Sequence, residues 1–293
     1  MHKLYSNKKI IISLIAPAIL LFAFAILVPI CMSMYYGMTE YSGMGKPIFL
    51  GFDNFKELLF QDKTFWKSLT NALLLGVGFV IIQHPICMFF AILIDKVGGK
   101  WEKFFRAVYF IPNVISVAVI ASMWKYLFNY DFGLINNVLK MIGLERLQQD
   151  WLDPDHALMS VLVVLIWHGF GWGMLIYYAG IKGIDQELYE AAAIDGATGV
   201  RTYWHITLPL MKPIIRVNVT LAIIAALKQM ETVYLLTKGG PGDTTQFLAN
   251  YLYIKAFRSY EYGYGNAISV VFVIICMLAV VVLNKIFRTK VDD

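Results

Sequence analysis

Residues 189–209 read YEAAAIDGATGVRTYWHITLP, and the fold is decided by how this stretch is read. It is a polar, small-residue island between two long apolar runs. Just upstream, Asp185 is a good N-cap, with Glu187 and Glu190 close to the positive end of the helix it would open. Ala191, Ala192 and Ala193 keep one face thin, so that another protein can come close. Asp195-Gly196-Ala197-Thr198 is turn chemistry, because Gly carries no Cβ penalty at positive φ and Asp and Thr bond local backbone. Gly199 to Ile206 is long enough for a second short helix with Thr198 as its N-cap. Leu208-Pro209 is expected to stop that helix, since Pro has no N–H to give. The spacing predicts two short helices joined by a sharp turn, a knob lying at a membrane surface.

The rest of the chain supplies the membrane. Of 293 residues, 59% are hydrophobic and only 15% charged, which is the composition of an integral membrane protein with no room for a large soluble domain. The net charge of +5 is not a nucleic-acid patch, because the basic residues sit beside apolar runs, where they set topology. Cys31, Cys87 and Cys276 lie far apart inside apolar runs without metal spacing and read as small core hydrophobes.

Six runs are long enough to span a bilayer: about 10–35, 68–94, 107–128, 157–180, 213–236 and 265–283. The first follows Lys3, Lys8 and Lys9 and contains Ala23-Phe24-Ala25, which imitates a secretory cleavage site. The apolar run continues well past it, so a retained span is expected. Between the first two spans, Phe52 to Leu59 predicts a short amphipathic surface helix, with Phe65 and Trp66 as headgroup anchors. His84-Pro85 lies inside the second span. Its imidazole either satisfies a carbonyl freed by the proline or takes a functional role. Asp153 and Asp155 flank Pro154 and read as a turn. The fourth span holds Trp167-His168-Gly169-Phe170-Gly171-Trp172-Gly173, where glycines among bulky aromatics mean close helix contact or a cavity wall. Lys228 and Glu231, three apart in the fifth span, are expected to neutralise each other on one helix face.

Orientation follows from the flanks. Lys3, Lys8 and Lys9, the group Lys96, Lys100, Lys103 and Arg106, the region from Lys182 to Arg216, and Lys285, Arg288 and Lys290 share one side. The positive-inside rule places both termini and the 189–209 stretch in the cytoplasm. The chain contains no G-x-x-x-x-G-K-[ST], HExxH, GxSxG or Cys-x-x-Cys pattern, so hydrolysis is left to a partner.

Glu190, Ala191, Ala192, Gly196, Ile206, Leu208 and Pro209 match the EAA loop of permease subunits of binding-protein-dependent ABC importers, and the chain resembles that family. Phrases at Gly51–Leu59, Phe65–Leu73, Phe110-Ile111-Pro112 and Leu236–Pro241 extend the resemblance over nearly the whole chain, closest to the carbohydrate branch that includes the maltose and glycerol-3-phosphate permeases. The resemblance implies an all-α integral membrane fold. Six transmembrane helices carry a cytoplasmic coupling helix-turn-helix, residues 181–212, between the fourth and fifth. One polytopic domain covers 1–293, with its core at about 68–287.

The same resemblance implies a translocation path for a sugar, an oligosaccharide or a related polyol or sugar phosphate, a heterodimer with a second permease, two ATPase subunits that use ATP and magnesium, an extracellular binding protein, and no cofactor held by this chain. It implies that Glu190, Ala191, Ala192, Asp195, Gly196, Leu208 and Pro209 couple to the ATPase. Sugar recognition needs hydroxyl partners and flat aromatic surfaces. His168, Gly169 and Trp172 on the fourth span, and Ala222, Ala226 and Gln229 on one face of the fifth, lie near positions that line the maltose permease's substrate site. Lys228 and Glu231 are read as a structural or gating pair. The alternative reading is an ion-gradient-driven transporter, or half of one, using Lys228 and Glu231; the 189–209 island has no task in that scheme.

Overall fold

The computed structural model describes residues 8–197 and 199–287. Thr198, expected as an N-cap, and Lys3, Arg288 and Lys290 of the charge argument lie outside them. The chain divides into two units, Met1–Asp62 with Leu252–Ile275, and Lys63–Tyr251 with Cys276–Asp293.

In the first unit, α1 (Ile11–Gly37) is apolar on all sides, and 0% of its most hydrophobic window is buried within the chain. Such a helix is built to meet lipid or another chain. A short hairpin follows, β1 (Thr39–Glu40) antiparallel to β2 (Ile48–Phe49), with Thr39 opposite Phe49. The expected surface helix is α2 (Asp53–Phe60), which buries Asn54 and Leu58. Asn54 donates to the carbonyls of Gly37 and Thr39, 2.9 Å each, and so ties α2 to the end of α1.

The second unit contains α3 (Lys63–Val97), α4 (Gly99–Val114), α5 (Val117–Leu127) and α6 (Leu134–Met141). It continues with α7 (Ala157–Lys182), α8 (Gln186–Ile194), α9 (Val200–Leu210), α10 (Lys212–Leu227) and α11 (Glu231–Leu236). Its core sets Cys87, Met88 and Ala91 of α3 against Met174, Tyr177 and Ile181 of α7, with Met211 beside them. Asp153 accepts from the N–H groups of Asp155 and His156 and opens α7, so the acidic pair is a turn, as expected. The last helix, α12 (Tyr262–Ile286), begins in the first unit and ends in the second.

Several expectations are corrected. Pro209 does not stop the second hairpin helix, because a π turn at Tyr203–Thr207 precedes it and the chain continues as helix. The same device recurs at Pro29 and Pro85, after π turns Ala23–Leu27 and Phe79–Gln83. In each case the N–H just before the proline reaches back five residues: Val28 to Ala23, His84 to Phe79, Leu208 to Tyr203. Widening the turn relieves the clash between the ring and the carbonyl one turn back.

The third expected span, 107–128, is two helices: α4 and α5 meet at 92° across an extended Ile115-Ser116. The fifth expected span, 213–236, ends early. Between α9 and α10 the chain bends by 68°, with Pro213 withdrawing an N–H nearby, and α10 stops at Leu227. Among the described residues, α1, α3, α7 and α12 are each long and apolar enough to cross a bilayer, and the two bent pairs qualify only as pairs.

Candidate functional site

The hairpin at 185–210 is built from local rules. Asp185 stands at the N-cap position of α8 with extended backbone, but its side chain makes no capping bond. The C-terminal end explains the spacing from the alanines to the glycine. Gly196 has φ +74, its N–H donates to Ala193, and the Ala197 N–H donates to Ala192 at 2.8 Å. This is a Schellman ending, which requires a left-handed residue at one position and favours a small apolar contact between the two ends of the longer bond, here Ala192 and Ala197. Ala192 is buried accordingly. Thr202 donates to the Ala197 carbonyl and Tyr189 pairs with Thr207 at 3.1 Å, so the arms of the hairpin are held together. Glu190, Ala191, Asp195, Gly196 and Pro209 are exposed, and Leu208 is half-buried. Ile194 is 88% exposed and Val200 73%, which makes an apolar tip.

Behind the hairpin, charged groups that sequence reasoning passed over pin the helix ends together. Lys182, the last residue of α7, pairs with Asp95 of α3 at 2.7 Å. Tyr178 donates to Glu102 of α4, which also lies 3.5 Å from Arg106, whose guanidinium stacks 4.8 Å over the Tyr178 ring.

The glycine-rich middle of α7 proves to be both a helix contact and a cavity wall. A Cβ on Gly169 would lie 2.6 Å from Gln83 Nε2, and one on Gly173 3.1 Å from Cys87 Sγ. The close approach lets neighbouring side chains reach α7 carbonyls. Gln83 donates to Ile166 at 3.2 Å, Cys87 to Phe170 at 3.2 Å and Asn218 to Gly173 at 3.1 Å. Asn113 of α4 accepts from the Trp172 N–H at 3.1 Å. Between these helices lies a cavity of about 270 Å³. His168, Gly169, Trp172, Ala222 and Gln229 line it, together with Gln83, His84, Asn113, Asn218 and Ala225. Among the described residues its lining has amides, imidazoles and an indole but no Asp, Glu, Lys or Arg. A larger hollow of about 820 Å³ lies between α3, α4 and α7, but aliphatic and aromatic side chains line it, which suits hydrocarbon better than a hydrated solute.

Five of the six residues expected along the solute path therefore meet at one cavity. The exception is Ala226, which is fully buried and packs toward Gly76 of α3, while its neighbour Ala225 lines the hollow. Lys228 and Glu231 do not share a helix face: Lys228 caps α10, Met230 breaks the helix at φ −140, ψ −57, and Glu231 opens α11. No ion pair joins them among the described residues. The same break delivers Gln229 to the cavity by a route that helical spacing does not give. Gln83, Asn113 and Asn218 were missed, although each is an isolated amide in an apolar run, which is itself a signal.

Residues 87–292 match the model of the binding-protein-dependent transport system inner membrane component family. The chain belongs to that family. It is 35% identical to the probable ABC transporter permease protein YurN of Bacillus subtilis (strain 168), over 98% of this chain and 99% of that one. It is 32% identical to the multiple sugar-binding transport system permease protein MsmF of Streptococcus mutans, covering 94% of this chain and 93% of that one. The fold matches a chain of a bacterial ABC transporter involved in the import of the acidic polysaccharide alginate, with a TM-score of 0.82, 24% identity and 98% of both chains covered. Family membership leaves the ion-gradient alternative without support.

Proposed function

We propose that this chain is one of two membrane subunits of an ATP-driven importer and forms part of the path of an uncharged sugar or oligosaccharide. The solute arrives from an extracellular binding protein, and separate ATPase subunits use ATP and magnesium. In this reading α1, α3, the α4–α5 pair, α7, the α9–α10 pair and α12 make six crossings of the plasma membrane. Both termini and the hairpin face the cytoplasm.

The observation that carries the reading is continuity. α7 lines the cavity with His168 and Trp172 and ends at Lys182, just before the hairpin; α9 and α10 lead from the hairpin back to Ala222. A displacement of the knob therefore reaches both walls of the cavity. Rigid-body rocking of packed helices is a common way to switch access to a central site. It is biased only by contacts that differ between the two states, which the ATPases would supply through Glu190, Ala191, Asp195, Gly196 and the exposed tip. The sugar assignment rests on the neutral, amide-rich and aromatic lining, and on the name of the multiple-sugar relative. Lys228 and Glu231, on either side of a helix break, act in this scheme at a hinge.

Uptake of labelled saccharide in cells carrying the complete transporter tests the energy source. Depleting ATP is expected to stop it, and a protonophore at maintained ATP is expected to leave it running. Uptake that collapses with the protonophore alone contradicts the reading.

A further inference from the structure

We infer that His84 is a solute-binding residue of the cavity, its Nε2 hydrogen-bonding a hydroxyl of the uncharged sugar while Tyr177 positions the ring. The inference rests on the sugar reading above and adds to it a group from α3. His84 is only 6% exposed. Its Nδ1 pairs with the Tyr177 hydroxyl of α7 at 2.7 Å. Its Nε2 is buried and has no hydrogen-bond partner among the described residues. The imidazole lines the same cavity as His168, Trp172 and Gln229. The side chain is therefore not employed in satisfying a carbonyl freed by Pro85, since the π turn accommodates the proline and Tyr177 takes the one engaged nitrogen.

An orphaned buried polar atom costs about 1–3 kcal/mol, and native proteins keep few of them. The ring that carries this one lines a cavity, and a small turn of the ring as the cavity fills would satisfy it. The chemistry of the occupant follows from the tautomers. If Tyr177 donates to Nδ1, Nε2 carries a proton and needs an acceptor; if Nδ1 donates, Nε2 needs a donor. A hydroxyl can serve in either role, whereas a carboxylate or an ammonium serves in only one. The absence of charged side chains from the lining also disfavours a charged solute, which would enter without a counter-charge. Tyr177 is fully buried, so the ring is held in one orientation and can discriminate among hydroxyl positions.

The test uses the assembled transporter in proteoliposomes with its binding protein. The probes are radiolabelled maltose, lactose, raffinose and diacetylchitobiose, then single-deoxy analogues of the one carried fastest. If the native transporter carries none of the four, the sugar reading fails and this inference falls with it. If it carries one, His84→Phe is expected to slow uptake by about fivefold to tenfold at an unchanged level of assembled complex, the effect of one lost hydrogen bond. His84→Gln, which keeps a donor and an acceptor, is expected to stay within about threefold.

The decisive readout is a ratio. For one deoxy analogue, the discrimination against it shown by the native protein should vanish in His84→Phe; the binding protein's own preference cancels in this comparison. If His84→Phe does not assemble, Tyr177→Phe is read by the same ratio. Discrimination unchanged for every analogue would overturn the assignment while leaving the sugar reading intact.

Discussion

The hairpin at 185–210 and the cavity between α3, α4, α7 and α10 are made by opposite routes. The turn of the hairpin is closed by bonds that span only a few residues, such as Ala197 to Ala192 and Gly196 to Ala193. The cavity is closed by bonds between residues far apart in sequence, such as Gln83 to Ile166 and Asn113 to Trp172. The difference teaches that an element closed locally can keep its shape while it is carried as a unit, whereas a cavity assembled across helices changes whenever those helices shift. Substitutions in the two regions should therefore fail in different ways.

The largest effect is expected in the hairpin. Glu190→Lys and Gly196→Asp should cut uptake by at least about tenfold, equivalent to more than 1.4 kcal/mol of lost coupling, with the membrane subunits still assembled. Gly196 has open space around it, so the second substitution acts through its left-handed backbone, a strain of about 1–2 kcal/mol, and not through a clash. Uptake and copurification of the ATPase, measured together, check this; normal import by both variants would remove the hairpin from the coupling path.

In the cavity wall, Gly169→Ala displaces Gln83 Nε2 and breaks its bond to the Ile166 carbonyl, which should cost about 0.5–1.5 kcal/mol. Here copurification of the ATPase should persist while uptake falls, whereas in the hairpin variants both should fall; a loss of both in parallel would erase the distinction. Breaking the half-exposed Lys182–Asp95 pair with Asp95→Asn should shift the thermal midpoint by only a few degrees at most, because such pairs contribute about 0.2–1 kcal/mol.

The smallest effect is expected at Asp153, outside both regions. Burial pushes its carboxyl up, but the His156 N–H and ring and the Asp155 N–H outweigh this and hold it below the usual carboxylate range. Its depressed pKa means that its contribution is present above the ordinary carboxylate pKa and is lost as pH falls through the lowered one. Asp153→Asn should therefore speed amide exchange at the start of α7 at neutral pH and change little in strong acid.

The hairpin was legible because its determinants are neighbours. The alanines and Gly196 announce a helix with a left-handed end, and no tertiary contact is needed to read them. What misled the reading there was Pro209, since a π turn leaves no mark in a pattern of types that assumes α spacing throughout. In the cavity, His168, Gly169 and Trp172 were legible from one helix. Ala226 was assigned the wrong side because a helical face alone does not say which neighbour it meets. Lys228 and Glu231 were paired on the premise of a continuous helix, and the break at Met230 removed that premise. Gln83, His84, Asn113 and Asn218 converge only after α3, α4, α7 and α10 are packed, which spacing along the chain cannot supply.

Coupling through the hairpin requires that its tip make contact with the ATPase. Cysteine-anchored photo-crosslinking from Ile194→Cys and Val200→Cys in the assembled, membrane-embedded transporter measures this directly. Both positions are exposed and neither belongs to the cavity. Crosslinks to the ATPase subunit are expected, and labelling only by reagents that reach the cytoplasmic side. Crosslinks to the extracellular binding protein, or labelling from outside the cell, would contradict coupling through the hairpin.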